Sequence, residues 1–130
     1  MRYSQIRSMD IQNGTGIGTA LFTQGCPLHC KNCFNPDTWS FTGGHEFPEE
    51  TENDFIQMCS REYIKRISIL GGEPLCKSNV DGVFQLIRRL KSIFPNKTIW
   101  LYTGFEYEEI YSNYKQFMTL CFADVVVCGR

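Results

Sequence analysis

Short apolar runs closed by glycine alternate along this chain with stretches whose apolar residues recur every three or four positions. Residues 19–24 follow a glycine-rich stretch and stop at Gly25; 66–70 are bounded by Gly71 and Gly72; 98–102 stop before Gly104; 124–127 stop before Gly129. Each run is rich in branched or aromatic residues and short enough for a strand. A weaker N-terminal strand is expected over 5–11. The near-continuous apolar character suits strands covered on both faces, as in parallel sheets.

Helical spacing fills the intervals. In 49–63 the apolar positions are Phe55, Ile56, Met58, Cys59 and Tyr63; in 79–94 they are Val80, Val83, Phe84, Ile87, Leu90 and Phe94; in 106–118 they are Tyr107, Ile110, Tyr111, Tyr114, Phe117 and Met118. Ser78 or Asn79 is placed to cap the second helix and Pro95 to end it. Strand and helix therefore alternate, which predicts an α/β fold with a mostly parallel sheet and flanking helices. In such sheets ligands bind beyond the carboxyl ends of the strands, so the glycine-closed ends are where chemistry is expected.

Composition narrows the function classes. At 130 residues, with 42% hydrophobic and 14% aromatic content, the chain suits one domain over 1–130. Net charge is -1, and the nearest thing to a basic cluster, Arg88, Arg89 and Lys91, falls on a helix face, so no nucleic-acid surface is expected. No apolar stretch reaches membrane-span length and the N-terminus lacks a signal-peptide core, which makes the cytoplasm the expected location. The seven cysteines are an odd number, which argues against a closed disulfide framework. Cys59, Cys76, Cys121 and Cys128 are scattered and read as free thiols or small buried hydrophobes.

The other three stand together in Gly25-Cys26-Pro27-Leu28-His29-Cys30-Lys31-Asn32-Cys33-Phe34, directly after the first strong strand. Pro27 and Gly25 disfavour a regular helix, and a loop lets three thiolates converge. Structural zinc takes four protein ligands and would need His29 or a distant cysteine. An electron-carrying cluster also wants a fourth cysteine. A cubane held by three thiolates leaves one iron without a protein ligand, open to the amine and carboxylate of an amino acid. A second strand end, Ile69-Leu70-Gly71-Gly72-Glu73-Pro74, brings two glycines that admit a ligand close to the backbone and a carboxylate able to accept from an ammonium group. Taken alone, that segment is an ordinary strand-to-helix turn.

Together, Cys-x3-Cys-x2-Cys and Gly-Gly-Glu-Pro resemble the radical S-adenosylmethionine superfamily. Asn13-Gly14-Thr15-Gly16, Leu21-Phe22-Thr23-Gln24-Gly25-Cys26-Pro27, Cys33-Phe34-Asn35-Pro36-Asp37-Thr38-Trp39, Leu70-Gly71-Gly72-Glu73-Pro74-Leu75 and Ile99-Trp100-Leu101-Tyr102-Thr103-Gly104 resemble, within it, the family that activates the anaerobic ribonucleoside-triphosphate reductase. That resemblance implies a shortened partial (β/α) barrel and a [4Fe-4S] cluster on Cys26, Cys30 and Cys33. It implies S-adenosyl-L-methionine bound by Asn32, Cys33 and Phe34 on the adenine side, and by Gly71, Gly72 and Glu73 at the methionyl amine. The implied reaction is reductive cleavage to a 5′-deoxyadenosyl radical that generates a glycyl radical on the reductase. A small electron-donor protein such as flavodoxin is the implied reductant, with no nucleic acid and no membrane involved. The chain departs from the family at Thr15, where proline is common, and at Cys128, where aspartate is usual; the family's C-terminal tail is also missing after Arg130. The rival functions are a superfamily enzyme acting on another substrate and a non-enzymatic zinc or iron-sulfur module.

Smaller signals complete the picture. The glycine-rich stretch 13–18 is similar to a dinucleotide loop but precedes a strand, so a mobile loop near the partner surface is expected instead. Trp39, Phe41 and Phe47 either cover the cluster or pack in the core. Tyr102 and Thr103 end a strand on the ligand side, and His29 and His45 are expected exposed.

Overall fold

A computed structural model describes residues 1–30, 33 and 36–129 of the chain. Its strands are β1 (Arg2–Asp10), β2 (Gly18–Thr23), β3 (His45–Glu46), β4 (Arg66–Gly71), β5 (Thr98–Tyr102) and β6 (Val125–Val127). Its helices are α1 (Glu49–Cys59), α2 (Val80–Ile93), α3 (Tyr107–Tyr111) and α4 (Tyr114–Phe122). The strands form one mixed sheet in the order β3-β1-β2-β4-β5-β6. β2, β4, β5 and β6 run parallel, while β1 is antiparallel to both β2 and β3. Four parallel strands therefore end on one side, at Thr23, Gly71, Tyr102 and Val127.

The period-two geometry of a strand sorts side chains to two faces. Leu21, Ile67, Ile69, Ile99 and Leu101 point into the apolar core, with Phe55 and Cys59 of α1 and Val83, Leu86, Ile87 and Leu90 of α2. The intervening positions are different. Phe22, Leu70 and Tyr102 line a cleft, and Arg66 and Ser68 carry a polar network. The helices thus cover one face, and the sheet is not sandwiched evenly as its apolar runs suggested.

The N-terminal strand runs Arg2–Asp10 rather than 5–11, and two expected helices and one cap also differ. Residues 106–118 are not one helix. Asn113 is extended, and its side chain accepts from the Gln116 amide, so a new helix starts there. The first helix stops at Cys59 rather than Tyr63, where the Lys97 ammonium donates to the carbonyls of Cys59, Arg61 and Ile64 at 2.6–2.8 Å. Asn79 precedes α2 but makes no side-chain cap bond. Its amide donates instead to the carbonyls of Gln24, 2.8 Å, and Glu73, 3.1 Å.

The loop before β2 is tied down rather than free-standing. Arg66, 1% exposed, donates to the carbonyls of Asp10, Asn13, Thr15 and Gly16. It also donates to the Ser68 hydroxyl and pairs with the Asp10 carboxylate at 3.0 Å. Gly14, at φ +138°, passes so close to this side chain that a Cβ there would overlap it. Burial alone would raise the pKa of Asp10, but bonds from the Asn13 amide and Arg66 outweigh it and hold the carboxyl below 3.8.

Cys59 and Cys76 are buried, and Cys121 and Cys128 are exposed. Burial pushes the Cys59 thiol up to about 12, as expected of a cysteine serving as a small hydrophobe.

Candidate functional site

The cysteine loop leaves and rejoins the sheet at nearly the same place. Gly25 turns out of β2 at φ +99°. Its amide donates to the Thr38 carbonyl at 2.6 Å, and that of Cys26 to the Trp39 carbonyl at 3.2 Å. The Gln24 carboxamide donates to the carbonyls of Asp37 and Ser40, 3.0 and 2.9 Å. These bonds clasp 24–26 to 37–40 and close the thiol-bearing segment into a loop. Within it His29 adopts φ 47°, and the Cys33 amide donates to the Cys30 carbonyl at 3.1 Å.

Cys26 is buried and Cys30 and Cys33 are half-buried. Burial pushes the Cys26 thiol up; the backbone amides of Leu28 and His29 oppose this, and charge on Glu73 and Cys30 adds to the rise. Glu73 is therefore an electrostatic neighbour of the loop. His29 and His45 are both exposed, with the His29 ring stacked on Trp39 at 4.4 Å.

Cys30 and Cys33 open onto a cleft of about 890 Å³ that Gly71, Gly72, Thr103 and Gly104 also line. That volume suits a small-molecule cofactor. Arg7, Gln5 and Gln12 line it as well, with the Arg7 guanidinium 4.9 Å above the Phe22 ring. The thiols of Cys30 and Cys33 and the Gly-Gly turn thus share one cavity, which Cys26 does not line. Asn32 and Phe34, the other expected cofactor contacts, lie outside the described residues.

The glycines have a second reason to be glycine. A Cβ on Gly71, at φ +109°, would run into the Thr23 backbone, and one on Gly72 would lie 2.5 Å from the Gly25 carbonyl oxygen. The turn is pressed against the end of β2, so close packing of this chain requires both glycines before any ligand does. The Gly72 amide donates to the Thr23 carbonyl at 2.9 Å. Toward an ammonium group, then, Gly72 has its carbonyl to offer.

Glu73 is 1% exposed and ties β4 to β5. Its Oε2 accepts from the Leu75 amide, 2.8 Å, and the Thr103 hydroxyl, 2.7 Å; its Oε1 accepts from the Gly104 amide, 2.7 Å. Charge-assisted bonds of this length fix both strand ends. Thr103 thus serves the site through Glu73. Gln24, Asn79 and Arg66 were not recognised as site residues from sequence. Their partners are mostly backbone carbonyls far along the chain, which leave no local pattern.

The donor set can be compared with what different metals need. Among the described residues no three His, Cys, Asp or Glu side chains group closely enough to hold a metal ion. Zinc draws all its thiolates to about 2.3 Å from one centre. A cubane spreads its thiolates over separate irons and accepts a wider set. Three thiols on one closed loop, two of them lining a cleft, fit the cluster better than the single ion.

A family profile described as "4Fe-4S single cluster domain" matches residues 12–130. Over its full length the chain is 38% identical to a protein of Vibrio cholerae named anaerobic ribonucleoside-triphosphate reductase-activating protein, covering 84% of it. Proteins of the same name from Enterobacteria phage T4 and Escherichia coli K12 are each 35% identical over the whole of this chain, which covers 81% and 84% of them.

Proposed function

This chain belongs to the 4Fe-4S single cluster domain family and, within it, to the anaerobic ribonucleoside-triphosphate reductase-activating proteins, and on that premise we propose that it installs the radical on such a reductase. A [4Fe-4S] cluster held there would supply one electron for cleavage of S-adenosyl-L-methionine to methionine and a 5′-deoxyadenosyl radical, and that radical would become 5′-deoxyadenosine by taking a hydrogen atom from a glycine of the reductase. The observation that carries this reading is that two thiols of the cysteine loop line the same cleft as the Gly71–Gly72 turn.

Cys26, Cys30 and Cys33 are the proposed ligands of the cluster. The clasp of Gln24, Gly25 and Cys26 on 37–40 holds their loop closed, which lowers the ordering cost of binding. Gly71 and Gly72 present backbone to the methionyl amine, and Glu73 adds negative charge beside it while fixing Thr103 and Gly104. Cys33, with Asn32 and Phe34, takes the adenine side. We read the four parallel strands and the cleft at their carboxyl ends as a shortened partial barrel, one domain over 1–130. Its open side suits a polypeptide segment better than an enclosed small molecule. Flavodoxin or a similar protein is the proposed electron donor. No described helix is long and apolar enough to cross a membrane, and a cytoplasmic location without nucleic-acid partners is part of the proposal.

The test is anaerobic incubation of the reconstituted protein with an anaerobic ribonucleoside-triphosphate reductase, S-adenosylmethionine and a reductant, followed by electron paramagnetic resonance. A glycyl-radical doublet that requires all components is expected. Cofactor cleavage without a doublet would point to another substrate.

A further inference from the structure

Among the described residues, the indole Nε1 of Trp39 is the one buried side-chain nitrogen or oxygen without a hydrogen-bond partner. An indole nitrogen can only donate, and a buried donor left unsatisfied is rare enough in folded proteins to call for a reason. Strain is a poor one here. The Trp39 carbonyl accepts from the Cys26 amide at 3.2 Å, and Thr38 just before it accepts from Gly25 at 2.6 Å. The ring stacks on His29, 4.4 Å between centroids at 15°, and His29 directly precedes Cys30 in the loop. Backbone and ring are therefore both held against the cysteine loop, so the donor is preorganised.

What that loop gains when it is loaded is sulfur carrying negative charge, on thiolate and sulfide alike. Building on the function proposed above, we propose that the Trp39 indole N–H donates a hydrogen bond to a sulfur of the cluster held by Cys26, Cys30 and Cys33. Such a bond stabilises the reduced, more negative state and raises the reduction potential. Trp39 is thus a positioning and tuning residue: it sets how readily this cluster accepts its electron.

The experiment is a potentiometric titration of the reconstituted protein without S-adenosylmethionine, comparing wild type with Trp39→Phe. Phenylalanine keeps an aromatic ring on His29 and removes the N–H. The expected result is a lower midpoint in the variant at equal iron content, equivalent to roughly a tenfold change in the one-electron equilibrium, about 59 mV. An unchanged or raised midpoint overturns the proposal, as does a shift seen only with the cofactor present, which would place the acceptor on the cofactor. Should the variant fail to load, Trp100→Phe, which keeps Trp39 as its one tryptophan, carries the test through electron–nuclear double resonance with 15N-indole tryptophan. Coupling from the indole nitrogen or its exchangeable proton is expected, and its absence refutes the bond. Failure of wild type to assemble any iron-sulfur cluster would instead refute the function proposed above.

Discussion

Serine at Cys30 is expected to reduce iron retained after anaerobic reconstitution, and cofactor cleavage with it, by more than about 100-fold. Substitutions one shell out from a metal already cost about 10- to 100-fold, and removing one of only three thiolates leaves a cubane with two. The half-buried position of Cys30 makes the change cheap for the fold. No core side chain is lost, and the clasp between 24–26 and 37–40 does not involve it. Thermal unfolding of the apo variant should therefore match wild type within about 0.5 kcal/mol. Cys121→Ser serves as the control: it is exposed, on α4 away from the loop, and should keep full iron. Iron and sulfide analysis on matched samples separates the two results. Retention of cluster by Cys30→Ser would remove it from the ligand set.

Arg66→Met should destabilise the protein by about 3 kcal/mol at neutral pH, because it removes the nearer cation from the buried Asp10 carboxylate, which is left with the Asn13 bonds and with Arg7 at 3.5 Å. The loss has a pH signature with a definite sign. In wild type the Asp10 carboxyl is held below its ordinary 3.8. The stability linked to that lowering is fully present above 3.8 and is lost as pH falls through the lowered value. Without Arg66 two of the influences that hold the carboxyl down are gone, so it moves up from its wild-type position and the variant loses less stability than wild type as pH falls. The gap between the two proteins should therefore narrow in urea unfolding as pH falls from neutral through the lowered wild-type value. A gap independent of pH would mean that the guanidinium acts through its carbonyl contacts alone. The same substitution releases the carbonyls of Asn13, Thr15 and Gly16 and so loosens the loop carrying Gln12 and Asn13 on the cleft wall.

The parts of the fold that could be read from sequence are those whose cause is local. Branched residues in 66–70 and 98–102, each closed by glycine, coincide with β4 and β5 because strand preference and turn chemistry agree there. β3, only two residues long, carries no pattern and forms because His45 pairs with Tyr3 across the sheet. The division of α3 from α4 was signalled by Ser112-Asn113, but the apolar spacing on either side hid it. At the site, the cysteines declared themselves by spacing. Glu73 was legible as a carboxylate at a strand end but not as the tie to Thr103, since that bond joins residues 30 apart. Ligand access accounts for Gly71 and Gly72 from sequence, while the backbone of Thr23 and Gly25 that a Cβ would meet adds a packing requirement with no local pattern. Arg66 looked like the first residue of an ordinary strand; its partners, mostly main-chain carbonyls about 50 residues earlier, leave no mark on composition.

The proposed chemistry needs an iron left for the cofactor by a loop that contributes three thiols, Cys26, Cys30 and Cys33. S-adenosylmethionine labelled with 15N at the amine and 17O at the carboxylate, added to the reduced protein, reports on this directly through electron–nuclear double resonance. Couplings from both labels to the cluster spin are the predicted result. A cluster spectrum that shows neither coupling, and is the same with and without the cofactor, would mean that the protein itself completes the coordination, and the account would be wrong.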